Sequence, residues 1–266
     1  MKILVAVKQV AALDEDFAIR DDGRDVDADF FIRDLNEWDD FSLEEAVKIK
    51  ETSSEPVEVV VVSIGPDDVD ESLRKCLAKG ADRAIRVWDD AIEGSDSIAI
   101  ARILAAAVKR EAPQMLFAGV QSSDQSFAST GIATAAFLNW PHAAVVSSLT
   151  YVPGAKSAVF RRELEGGTLH EIEIQCPAVL TIQLGINTPR YASLRSIKQA
   201  AAKPIETMSL ADISLNTTDV GEAGSLSRVR RMYIPEKGRA QLIEGDAAEQ
   251  AARLAAIIRE FKGVAA

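Results

Sequence analysis

The sequence predicts an α/β protein whose mostly parallel sheet is covered by helices on both faces. Two observations carry this. Short apolar, β-branched runs recur at Lys2 to Val7, Val57 to Ser63, Ala84 to Val87 and Met115 to Gly119, and helical patterns fill the intervals between them. Strands and helices alternating as βαβαβαβ imply parallel pairing, with the crossover helices lying on the faces of the sheet.

Each helix has its own signals. Ser42 to Thr52 opens on Ser-Leu-Glu-Glu, the pattern of a capping box. Val69 to Lys79 carries Leu73 and Leu77 and meets Gly80, a helix stop, with Asp67 or Asp70 placed to cap its start. Ser97 to Arg110 repeats apolar residues at Ile98, Ala101, Leu104, Ala105 and Val108. From His142 the pattern changes to four apolar segments, Ala143 to Leu149, Ala158 to Glu163, Leu169 to Ile174 and Ala178 to Gln183. Pro153-Gly154 and Gly166-Gly167 punctuate them, which predicts antiparallel strands joined by turns. Beyond Asn187 the expectation is a helix over Ser193 to Ala202, a polar stretch to Ser227 and a last helix near Asp246 to Phe261. Ala247, Ala251, Leu254, Ile257, Ile258 and Phe261 form one stripe on that last helix, which needs a surface to lie on.

The 266 residues suffice for one large α/β domain with an appendage. A formal net charge of −11 argues against a general nucleic-acid binder, whose affinity depends on attracting phosphate. The apolar run before Lys8 is too short for a signal peptide or membrane span, so a soluble, cytoplasmic protein is expected. Cys76 and Cys176 lack CxxC spacing and only His142 and His170 could join them, so two buried free thiols are expected rather than a metal site or disulfide. Charge is unevenly placed. Asp14 to Glu45 holds fourteen acidic side chains against three arginines, whereas Arg228 to Arg239 holds five basic residues and one Glu. These runs read as solvated faces or, more sharply, as a basic arm that wraps an acidic partner.

A parallel sheet usually binds ligands at the carboxyl ends of its strands, yet neither G-x-G-x-x-G nor G-x-x-x-x-G-K-[ST] occurs. Gly94-Ser95-Asp96-Ser97 faintly resembles the Ser-Gly-Gly-x-Asp-Ser loop of ATP-pyrophosphatase enzymes. It lacks the second Gly and follows the third strand, so it reads as a helix N-cap. The segment from Gly119 to Gly131 places many hydroxyls and two amides at a strand-to-helix junction. Free N–H groups at a helix start carry partial positive charge, and Ser and Thr hydroxyls donate without adding formal charge, so the junction suits a phosphate. It equally suits a capped helix whose Ser129, Thr130 and Gly131 merely permit close packing on the sheet. His142 and His170 stand near no nucleophile motif, and Asp39-Asp40 and Glu44-Glu45 lack an apolar setting in sequence, so no catalytic residue is assigned.

Several stretches together resemble electron-transfer flavoprotein β (small) subunits: Ile3-Leu4-Val5-Ala6-Val7-Lys8, Asn36-Glu37-Trp38-Asp39, Leu77-Ala78-Lys79-Gly80-Ala81-Asp82-Arg83 and Pro189-Arg190-Tyr191-Ala192-Ser193-Leu194. So does Arg162-Glu163-Leu164-Glu165-Gly166-Gly167 through Pro177-Ala178-Val179-Leu180-Thr181, where His170 departs from the Glu or Gln of the family pattern. The likeness covers nearly the whole chain and is strongest to bacterial carriers that serve trimethylamine dehydrogenase.

The resemblance implies a universal-stress-protein-like α/β domain over residues 1–186 that keeps AMP as a structural ligand. Residues 187–266 would form a recognition loop and a C-terminal arm wrapping an α subunit that holds most of the FAD. It puts AMP contacts on Ala6, Asn36, Glu37, Trp38, Asp39, Ile64, Asp124, Gln125, Ser126, Phe127, Ala128, Ser129, Thr130, Gly131, Ile132, Ala133, Thr134 and Ala135, and a flavin-side contact on Leu13. Tyr191, Ala192, Ser193, Leu194 and Arg195 would dock a trimethylamine or acyl-CoA dehydrogenase, the Leu entering an apolar pocket, with electrons passing on to a membrane quinone oxidoreductase. From spacing alone Leu194 could instead begin the following helix and pack inward. Trp38, Trp88 and Trp140 are expected in the core or at the subunit interface. The alternative from another class is a stand-alone adenine-nucleotide sensor of the universal-stress-protein kind, which the basic arm and terminal helix argue against.

Overall fold

The computed structural model describes residues 1–13, 17–235, 238 and 240–264, in two compact units, Met1–Arg230 and Arg231–Ala266. The first unit opens with β1 (Lys2–Ala6), β2 (Gln9–Leu13) and β3 (Phe31–Leu35). There follow α1 (Glu37–Thr52), β4 (Glu58–Ile64), α2 (Asp70–Lys79), β5 (Arg83–Val87), α3 (Ser97–Glu111), β6 (Met115–Gly119) and α4 (Thr130–Leu138). A ribbon of β7 (His142–Thr150), β8 (Ser157–Glu163) and β9 (Leu169–Gln175) precedes β10 (Ala178–Ile182), α5 (Leu194–Ala202), β11 (Ile205–Met208) and α6 (Gly221–Gly224). The second unit contributes α7 (Ala247–Val264).

The expected fold class is the observed one. Nine strands form a single sheet in the order β11-β5-β4-β1-β6-β10-β7-β8-β9, parallel from β11 through β7 and antiparallel across β7, β8 and β9. Strand alternation sorts the core into two layers. Ile3, Val5, Val59, Val61, Met115 and Phe117 face Leu43, Val47 and Leu73 of α1 and α2. Leu4, Val60, Val62 and Leu116 face Leu104, Val108 and Ala135 of α3 and α4. Successive residues of a strand point to opposite faces, so a central strand covered on both sides must be apolar throughout, as β4 is.

Four local expectations are corrected. β10 is parallel and lies between β6 and β7, pairing Ala178 with Met115 and Val179 with His142. All five of its residues are buried, the mark of a strand covered on both faces, whereas β9 is exposed at five of its seven positions and belongs to the ribbon. Helix α1 begins at Glu37 with Asn36 as N-cap, not at Ser42. The Ser42 hydroxyl donates to the Trp38 carbonyl within the helix, and Glu45 accepts from Asn187, so Ser-Leu-Glu-Glu forms no capping box. Glu37, Asp39 and Asp40 instead fill the first turn, where acidic groups oppose the helix dipole. Neither Asp67 nor Asp70 caps α2, which is entered through a 3₁₀ turn, and Asp70 pairs with Arg86 at 3.2 Å. Cys76 is buried but Cys176 only partly so; both thiols are free.

The β2–β3 hairpin and edge strand β11 add to the predicted elements. Among the described residues no helix is long and apolar enough to cross a membrane. In the second unit Asp246 Oδ1 accepts from the Ala248 and Glu249 N–H groups, capping α7. That unit holds no other helix or strand among its described residues, so the α7 stripe has no partner within it. Asp14, Glu15 and Asp16 of the acidic run, and Glu236, Lys237 and Arg239 of the basic one, lie outside the described residues.

Candidate functional site

A cavity of about 180 Å³ opens at the carboxyl ends of β1, β4 and β6, against the starts of α3 and α4. This is where a parallel sheet leaves a crevice between crossovers that leave toward opposite faces. Its frame is built by α1. Asp39 is buried and bridges two strand ends, Oδ2 accepting from the Lys8 N–H at 2.7 Å and Oδ1 from the Gly119 N–H at 2.8 Å. Asn36 reaches the loop after β6, donating to the Gln121 carbonyl at 2.9 Å and accepting from the Ser123 N–H at 3.2 Å. Gly119 has no alternative, since a Cβ there would lie 2.5 Å from both Asp39 Oδ1 and Trp38 Cβ. Gly131 likewise lets α4 approach β10, a Cβ meeting Thr181 Cγ2 at 2.7 Å.

Burial pushes the Asp39 carboxyl up to about 7, against the pull of the Lys8 and Gly119 donors, which favour its charged form. Between about pH 4, where an ordinary carboxyl titrates, and that raised value, the folded chain keeps a proton the unfolded chain has released. The stability from this group is therefore complete at acid pH, falls as pH rises through that window, and is level above it. The expected signature is the infrared carbonyl band of a protonated acid, disappearing as pH passes about 7 and missing in Asp39→Asn. A band already lost near pH 4 would mean that the two donors outweigh burial.

Much of the rest of the wall is made of neutral donors. Ser129 is the N-cap of α4 but makes no side-chain cap bond, and its hydroxyl instead meets that of Ser97 at 3.0 Å. Among the described residues the first N–H groups of α4 thus have no side-chain acceptor, the usual arrangement for an anion. Across the cavity Asp96 caps α3, accepting from the Ile98 and Ala99 N–H groups, so Gly94-Ser95-Asp96-Ser97 is an N-cap and part of the wall at once. Val62, Ile64, Ile100 and Leu104 give the cavity an apolar side. In the loop, Ser126 and Ala128 have φ of +54° and +51°. Left-handed backbone at non-glycine residues costs roughly 1–2 kcal/mol each, and here it brackets Phe127, which is 62% exposed at the cavity mouth.

Of the residues that the resemblance nominates, Ala6, Asn36, Asp39, Ile64, Gln125, Phe127, Ala128, Ser129, Thr130 and Gly131 line the cavity. Glu37 is exposed, Trp38 donates to Gln183, Ser126 bonds back to the Ser122 carbonyl and Asp124 pairs with Lys8. Ile132 and Ala133 continue α4 beyond the wall, Thr134 bonds to the Thr130 carbonyl, and Ala135 is buried in the core. Lys8, Ser95, Ser97 and Gly119 also belong to the wall and were not nominated. His142 and His170 are exposed on the ribbon, away from the cavity.

A second surface lies at the loop before α5. Arg190 grips α1, with Nε and Nη2 on Glu44 at 2.9 and 3.0 Å, and Nη1 and Nη2 on Glu51 at 2.6 and 2.8 Å. Asn187 adds bonds to the Phe41 carbonyl and to Glu45. Ser193 caps α5, accepting from the Ser196 N–H. On this fixed base Tyr191 is 98% and Leu194 81% exposed. Leu194 begins the helix but points outward, with Ala192 half-buried beneath and Arg195 exposed beside it.

The electron transfer flavoprotein domain family matches residues 33–213, a span that contains Asn36, Asp39, Gly119 and Leu194. The chain belongs to the electron transfer flavoprotein family, as a β subunit. It is 74% identical over 263 residues to the electron transfer flavoprotein subunit beta of Methylophilus methylotrophus, covering 99% of this chain and 100% of that one. The corresponding subunit of Bradyrhizobium diazoefficiens is 38% identical over 219 residues, and that of Bos taurus 35% over 220, each match covering 82% of this chain and 85% of the relative. An electron transfer flavoprotein β subunit is an electron-carrier component. Leu13, the flavin-side residue that the likeness suggests, ends β2, and its side chain lies outside the described residues.

Proposed function

We propose that this chain is the small subunit of a heterodimeric electron carrier, with AMP held in the cavity between β1, β6 and α4 as a structural ligand. The observation that carries the reading is the donor-rich wall itself: uncapped α4 N–H groups and the Ser97 and Ser129 hydroxyls face an apolar side, with Asp39 tying the ends of β1 and β6 together and Asn36 holding the loop after β6. That combination fits a phosphate at one end and a purine at the other. Gly119 and Ala128 would allow a ligand close to the backbone. A ligand that binds only the folded chain stabilises it in proportion to the logarithm of its concentration over Kd, which is what a structural nucleotide does.

In this reading residues 1–186 form the nucleotide-binding part, and 187–266 the docking loop and an arm that embraces the α subunit. FAD, held mainly by that subunit, supplies the redox chemistry when bound. This chain supplies no catalytic group; it completes the flavin's surroundings, with Leu13 near them, and presents Tyr191 to Arg195 to a flavin dehydrogenase of the trimethylamine or acyl-CoA type. A membrane quinone oxidoreductase takes the electrons onward, and the carrier works in the cytoplasm. The test is co-production with the adjacent reading frame. A yellow heterodimer carrying FAD and AMP in equal amounts is expected, and a colourless monomer that hydrolyses ATP would overturn the reading.

A further inference from the structure

Lys8 is the only lysine or arginine among the described residues lining the cavity, and it already has a counter-charge. Its Nζ donates to Asp124 Oδ1 at 2.7 Å, with Ser122 Oγ and Gln125 Oε1 each at 3.4 Å. Burial works to raise the Asp124 carboxyl, but the Lys8 ammonium and the Ser122 hydroxyl outweigh it and hold the carboxyl below its ordinary value. The two are therefore an ion pair at neutral pH. The other ionisable groups of the wall, Asp39 and Asp96, are acids already taken up by backbone N–H donors. Everything else that could meet a phosphate is neutral: hydroxyls, amides and the first N–H groups of α4.

Such a wall has donors for one phosphate monoester, which carries about −1.5 to −2 at pH 7. Each further phosphate would add about one negative charge that no unpaired cation among the described residues of the wall meets, near acidic neighbours. We propose that Asp124, by neutralising Lys8, makes the cavity select adenosine monophosphate over the di- and triphosphate. This rests on the nucleotide-binding reading above. It assigns Asp124 a role in specificity rather than direct contact, consistent with its place outside the cavity wall.

The test is calorimetric titration of the nucleotide-stripped full chain with AMP, ADP and ATP at fixed ionic strength. Asp124→Asn keeps an oxygen for Lys8 while removing the charge, and should raise the ATP-to-AMP affinity ratio about tenfold, with a steeper salt dependence for ATP. The Lys8 side chain is 41% exposed, so solvent screening limits the gain to about that size. Lys8→Met leaves the Asp124 carboxylate unpaired and should move the ratio the other way, and the double variant should lose the gain. Two variants shifting in opposite directions cannot be explained by loss of folding. AMP binding with a ratio unmoved in both single variants overturns this inference alone. A wild-type chain that binds no adenine nucleotide overturns it together with the proposed function.

Discussion

Gly119→Ala is expected to destabilise the chain by about 3 kcal/mol and to abolish AMP binding. The new methyl would sit 2.5 Å from Asp39 Oδ1 and from Trp38 Cβ, and 3.2 Å from the Trp38 carbonyl carbon, so side chain and helix backbone would both have to shift. Overpacking of this kind costs about 1–3 kcal/mol. Moving Asp39 also leaves the Gly119 N–H and one buried carboxylate oxygen unsatisfied, worth roughly 1–3 kcal/mol more. The same shift draws the ends of β1 and β6 out of register around the cavity. Urea unfolding with and without AMP measures both effects. A variant with the wild-type midpoint, still stabilised by AMP, would show that Asp39 does not frame the cavity.

The second large effect falls on the proposed docking loop. Leu194→Ala is expected to slow reduction by the donor dehydrogenase about 10- to 100-fold below saturation, leaving the flavin spectrum and the thermal midpoint unchanged. Burying a leucine contributes about 1.5–3 kcal/mol, and each 1.4 kcal/mol is about tenfold in affinity. Folding gains little from this side chain, which is 81% exposed. Because Arg190, Asn187 and Ser193 already fix the loop, docking does not have to order it, and more of the anchor's burial shows as affinity. Stopped-flow reduction at several donor concentrations separates binding from transfer. Normal transfer with an unchanged midpoint would move the anchor to another residue, and normal transfer with a lowered midpoint would mean that Leu194 serves the fold.

What could be read in advance follows a physical line. Strands β1, β4, β5 and β6 were legible because burial on two faces demands an unbroken apolar run, and each sits within a residue or two of the predicted bounds. The Gly119 to Gly131 segment was legible because hydroxyls at a strand-to-helix junction are a local feature. Nothing local marks Lys8 as part of a site, since its partner Asp124 is 116 positions away. Glu44 was an acid without a setting until Arg190, 146 positions on, supplied one. Ser97 reaches the cavity because α3 and α4 pack side by side, which no window of sequence encodes. The helix α1 start was missed for a different reason: Ser-Leu-Glu-Glu is a sound local signal that tertiary contacts overrule.

The place of β10 constrains how the chain can reach this state. The strand joining β6 to the ribbon comes from residues 178–182, after an excursion of three antiparallel strands whose first member, β7, is its other neighbour. Strands β1, β4, β5 and β6 can be made and paired with one another while the flank of β6 still lacks β10, exposing the edge of the half-built cavity. That edge closes only when a strand some sixty residues downstream of β6 arrives, a pairing of high contact order and hence a slow one. Until then β6 is an open parallel edge of the kind that invites association with other chains. Between its synthesis and the arrival of β10, this edge stands open to misassembly.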